Sequence, residues 1–168
     1  MGTLVMLSVG LYLVALSTGL ALAHLLQWAP KRKLAAHRFI EVQQTFYTAY
    51  GPVAGLLEMG ALAACIAAAF GLGMGSGAFG YLLAALACLV LMFVVWAALI
   101  QPINRRVSQW TAESLPPDWA AVGLERWHLL HALRLALCAA ALACLIISVL
   151  TVGGADARAM VGAAGVHR

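Results

Sequence analysis

The sequence predicts an all-α integral membrane protein, an antiparallel four-helix bundle with both termini outside, and three observations carry that prediction. Of its 168 residues, 64% are hydrophobic and 10% charged, with a mean hydropathy of +0.96. That leaves too little polar surface for a soluble globule of this length. Four stretches reach the length of about 20 apolar residues that crosses a hydrocarbon core. Lysine and arginine gather in the first and third connections and are missing from the second, the asymmetry that sets orientation in a bilayer.

The first span is read over 3–28. Its Ala21-Leu22-Ala23 looks like a signal-peptidase site, but no basic residue precedes the run and it is too long for a leader, so it reads as a retained span. Trp28 closes it as an interface anchor. Lys31, Arg32, Lys33 and Arg38 follow in the first connection. The second span is read over 52–72, with its helix starting earlier because RFIEVQQTFYTAYGPV has few breakers before Gly51-Pro52. The uncharged GLGMGSGAFG makes a hairpin to the third span, 79–100, which leaves through Gln101-Pro102. Proline removes a donor and restrains its predecessor, so this helix is expected to end or bend near Gln101. Arg105, Arg106 and Arg126 make the third connection basic, the fourth span is read over 129–152, and 153–168 reads as a short flexible tail. By the positive-inside rule the first and third connections are cytoplasmic. The net charge of +4 then reports topology and contact with anionic lipid, with no nucleic-acid partner implied.

Several motifs dissolve in this setting. Gly73, Gly75 and Ala78 match G-x-G-x-x-A, but they join two spans instead of following a strand, and read as a turn. Cys65, Cys88, Cys138 and Cys144 sit among apolar residues with neither C-x-x-C nor zinc spacing, as small buried hydrophobes do. No metal site is expected, and the six methionines show no copper-type cluster.

Ionisable residues inside the spans are the candidates for function, because a charge there costs about 2.5–3.5 kcal/mol near the midplane. At about 100° per residue, Trp127, His131, Arg134 and Cys138 share one stripe of the last span, with His128 about 60° to the side. The plain alternative has His128 and Arg134 reaching headgroups while His131 bonds a carbonyl. On the second helix Gln44, Tyr47, Gly51 and Glu58 fall within about 60° of one another, and Pro52 can open space beside Gly51. Glu58 is expected to pair with Arg134, since a buried carboxylate facing a buried guanidinium keeps both charges most cheaply. Asn104 either turns toward the bundle mouth or is an ordinary turn asparagine. His24 sits at the depth of His128 and His131, which allows a cross-bundle pair, though a single interfacial histidine needs no function.

The ordered pattern of QPINRR, Trp119 in PPDW, then Trp127, His131 and Arg134 as W-x-x-x-H-x-x-R resembles the four-span DUF1772 family that includes the anthrone oxygenases. AHLLQWAPKRKL and EVQQTFYTAYGPVAGLLE resemble a bacterial branch of it, which implies the bacterial inner membrane. The resemblance runs from about His24 to Leu150. It implies cofactor-independent oxidation of a lipid-soluble aromatic or polycyclic substrate by O₂. His131, an imidazole with an ordinary pKa of about 6.5, would be the base. Arg134 and Asn104 would hold the developing anion, and Trp127 would stack on the substrate. Glu58, Gln44, Tyr47, His24 and His128 join the substrate-binding set from helix geometry. Three other functions fit the same pattern: a haem or metal carrier with His24 and His131 or His128 as axial ligands, an accessory subunit of a membrane complex whose polar ledge docks a partner or a lipid headgroup, its small-residue runs allowing close helix contacts, and a transporter working as a homo-oligomer.

Overall fold

The computed structural model describes residues 2–165, and the side chains of all but 47–49, 156 and 159–165 among them. Every regular element among the described residues is helical. Helix α1, Gly2–Leu26, is followed by the short α2, Trp28–Lys31; α3 runs over Ala36–Gly71 and α4 over Gly77–Val95. A wide π-helical turn, Trp96–Ile100, leads into α5, Gln101–Val107, and a second one, Ala120–Arg126, leads into α6, Trp127–Gly165. Four segments are long and apolar enough to cross a membrane: Gly2–Lys31, Tyr50–Gly71, Gly77–Val107 and Ala120–Ala155. This is the make-up of a multi-pass membrane protein.

Two helix ends lie further along the chain than expected. Of the two outcomes expected near Gln101, an end or a bend, the helix does not end: it widens at Trp96–Ile100 and continues through Pro102 to Val107. The Gln101 amide reaches back five residues to the Trp96 carbonyl, and this wider turn loosens the helix where the proline ring would otherwise press on the preceding turn. The last helix also runs beyond 152, so 153–165 is helical instead of a loose tail. GLGMGSGAFG does turn as expected: Ser76 caps α4 by accepting from the Phe79 amide at 3.2 Å.

The helices bury narrow stripes and leave large apolar side chains outside, among them Phe70, Leu56 and Leu150, as lipid-facing helices do. Two apolar clusters form inside. One centres on Leu7, Val14, Cys65, Leu82, Leu89, Met92 and Leu145, with Gly10 letting α1 approach α3 at Cys65. The other gathers Phe39, Ile40, Ile100, Ile103, Val107, Trp110, Leu124 and Trp127. Along α3 the first spans Ala61 to Ala68 and the second Phe39 to Ile40, so the polar residues of the second and fourth spans fall between them.

Surface contacts tie the first connection to the start of α6. The Trp28 ring stacks on His128 with centroids 5.8 Å apart, its indole N–H donates to Glu125 at 3.2 Å, and Arg32 Nε donates to the same carboxylate at 2.7 Å. That hydrogen bond raises the pKa of the Arg32 guanidinium.

Candidate active site

Between the apolar clusters lies a cavity of about 660 Å³. Helix α3 contributes Gln44, Gly51, Gly55 and Glu58, spaced as one stripe of a helix face. From the opposite side come Phe93 of α4, Trp96 and Ile100 of the wide turn, and Gln101 and Asn104 of α5. His131 and Arg134 project from α6, and His24 from α1. The open space expected beside Gly51 and Pro52 is therefore part of the cavity.

Glu58 and Arg134 form an ion pair and hydrogen bond with side chains only 7% and 8% exposed. The pair joins α3 to α6, and each charge offsets the desolvation of the other. The Arg134 Nε faces no partner among the described residues, so the guanidinium keeps a donor beyond the one it gives to Glu58.

His131 is 4% exposed, lines the cavity, and has no hydrogen-bond partner at either ring nitrogen among the described residues. Its ring is wedged between His24, with centroids 4.6 Å apart, and Trp127, at 3.9 Å. Packing fixes the imidazole while both nitrogens stay available, one to accept and one to donate. The cross-bundle histidine pair thus forms, but as rings in contact. Among the described residues no three His, Cys, Asp or Glu side chains gather as a metal-binding set.

Two other expectations shift. Trp127 is fully buried behind His131 and is not part of the cavity wall. Instead of stacking on a ligand it positions the site: its indole N–H donates to Asn104 Oδ1 at 2.8 Å, which aims the amide. One Asn104 amide hydrogen then reaches Gln101 Oε1 at 3.4 Å. His128 is also fully buried and outside the wall; its Nδ1 donates to the Leu124 carbonyl at 2.6 Å, the carbonyl a turn earlier. Gln44 does reach the cavity, and its amide donates to the carbonyls of Val107 and Trp110 at 2.9 Å each, fastening the end of α5 to α3. The Tyr47 side chain lies outside the described residues.

Some wall residues had no sequence signal of their own. Gln43 lines the cavity and accepts from the buried Lys31 ammonium at 2.8 Å, yet Lys31 reads in sequence only as a topology charge. Tyr50, Gln101 and Ser108 also belong to the wall. Only the proline of QPIN hinted that the helix around Gln101 would be irregular.

A profile of the anthrone oxygenase family matches residues 46–144, more than half of the chain. The chain belongs to the anthrone oxygenase family. No curated protein and no solved structure matches it. The match to the anthrone oxygenases takes in Glu58, Asn104, Trp127, His131 and Arg134, whereas His24, Lys31, Gln43 and Gln44 precede it. The first helix therefore completes a wall around residues that the family profile covers.

Proposed function

We propose that the chain is an oxygenase of the bacterial inner membrane that oxidises a lipid-soluble anthrone-like substrate with O₂, using its own side chains. His131 removes a proton from the activated methylene, and the resulting enolate oxygen lies against Arg134 and the Asn104 amide. The electron-rich anion passes an electron to O₂, the radical pair closes a carbon–oxygen bond, and the peroxide anion takes back the proton held by His131. Loss of the second methylene proton and cleavage of the O–O bond leave a carbonyl and one water, so that R₂CH₂ and O₂ become R₂CO and H₂O. Both electrons needed for O–O cleavage come from the substrate, so this route calls on no cofactor. Trp127 and Gln101 hold Asn104, and His24 holds the base.

The observation that carries this reading is His131: a buried imidazole, lacking a hydrogen-bond partner among the described residues, beside an Arg–Glu pair in a cavity large enough for a fused-ring substrate. In this reading the bundle is antiparallel with both termini outside, the first and third connections are cytoplasmic, and the partners are the bilayer, the substrate and, where it assembles, a second copy or a membrane complex. The test is O₂ uptake with an anthrone by the purified protein in lipid discs. His131→Ala is expected to lower turnover about 10²–10⁴-fold, the range of a lost general base. Wild-type turnover by that variant, with unchanged folding, would refute the assignment.

A further inference from the structure

The exposed residues of the cavity wall mark its mouth, and most of them lie within the apolar, span-length segments. The exposed residues at its edge are Gly51 and Pro52 of α3 and Trp96 of the wide turn, which is 36% exposed. All three fall inside the apolar spans Tyr50–Gly71 and Gly77–Val107. Ser108, also exposed and also in the wall, stands one residue past the second of these spans. The mouth is therefore a slot running from a span's end into the apolar stretch.

Two glycines keep the α3 side of the slot open. Among the described residues, a Cβ placed at Gly51 or Gly55 meets no neighbouring atom within 4 Å, and neither residue has the left-handed backbone that would demand glycine. Alanine would serve the helix better at both places. What glycine provides here is empty volume. Both line the cavity on the face that carries Glu58, one and two turns away, so added side chains would occupy cavity volume on that face.

Resting on the oxygenase reading above, we propose that Gly51 and Gly55 are the specificity-determining jamb of a lateral portal, through which a flat, lipid-dissolved ring system slides between α3 and the Trp96 turn to His131. The missing side chains set the width of the portal. Planar fused rings pass edge-on, and bulkier, branched molecules do not.

The test measures binding separately from turnover. Protein in lipid discs is titrated with anthraquinone dissolved in the bilayer, and quenching of tryptophan fluorescence is followed, with Trp96→Phe identifying the share from the portal. Gly51→Leu/Gly55→Leu is expected to weaken binding at least about tenfold, on the scale of a few methylenes excluded from a fitted pocket. The single Ala, Val and Leu replacements at Gly55 should grade with size, so the proposal does not hang on one variant's folding. Gly80→Leu, equally unobstructed but away from the cavity, should bind as wild type. Quenching that is unsaturable in the wild type, or equal in the double variant and the wild type, overturns the portal. O₂ uptake with an anthrone in place of the anthraquinone, in otherwise identical discs, separates the two claims. Size-graded binding without any wild-type uptake keeps the portal and sinks the oxygenase. Uptake that is indifferent to the glycine variants does the reverse.

Discussion

Replacing Glu58 by glutamine keeps the shape and an acceptor but removes the charge, leaving the Arg134 guanidinium, in a side chain only 8% exposed, without its counter-ion. Two unit charges about 4 Å apart attract by about 4 kcal/mol at an effective dielectric constant near 20. Mutating one partner of a buried pair typically costs about 3–5 kcal/mol, because the survivor stays desolvated. Hydrogen bonds between helices in bilayers are often weaker than this simple expectation, so the lower end, about 3 kcal/mol, is the value to test. In equilibrium terms it is a factor of about 10². Reversible unfolding in mixed SDS and mild-detergent micelles, followed by tryptophan fluorescence, measures it. Glu58→Gln should lose about 3 kcal/mol, while Glu58→Gln/Arg134→Gln should recover to within about 1 kcal/mol of wild type, since no unpaired charge remains. The double variant should still fail in turnover, having lost the anion-stabilising group. A coupling energy below about 0.5 kcal/mol would mean that the two charges are solvated separately, and the site built around them would have to be abandoned.

Further outcomes follow from single contacts. Trp127→Phe removes the 2.8 Å donor to Asn104 and should cost about 1 kcal/mol in the same unfolding assay, with a larger proportional loss in kcat than in substrate affinity. Gly123→Ala would place a Cβ 2.6 Å from the Trp110 ring; overpacking of about 1–3 kcal/mol should appear as a lower unfolding midpoint. Cys65 and Cys138 are buried and free, whereas Cys88 and Cys144 are half-buried. A lipid-permeable maleimide should therefore label the latter pair first, and all four only after unfolding in SDS, as mass spectrometry would show.

Much of the fold was legible because bilayer physics is written in composition. A span must be apolar along about 20 residues, so Thr3, Pro52, Phe79 and Leu129 mark starts that the structure extends without moving. The errors lie at the ends. Pro102 is a breaker by local chemistry, yet the Trp96–Ile100 turn absorbs it, and no residue in that turn announces the extra width. The 153–165 segment looks loose by composition, but α6 simply continues through it. The Glu58–Arg134 pair was foreseeable from cost alone, since a buried charge needs a partner and few were on offer. The opposite case is Trp127. Its stripe position was right, but stripe position says only that a side chain faces inward, not whether it meets a cavity or the back of another ring.

By itself, then, the sequence determined four apolar spans, the inward stripe of α6 and the need to neutralise Arg134, because each depends on periodicity or transfer energy along a single helix. Only the tertiary structure decided that His131 keeps its nitrogens unpartnered among the described residues while His24 touches its ring, that Trp127 supports Asn104 from behind, and that α3 and the Trp96 turn line one cavity. Those features depend on which helices neighbour one another and at what height, and residues far apart in the chain set them together.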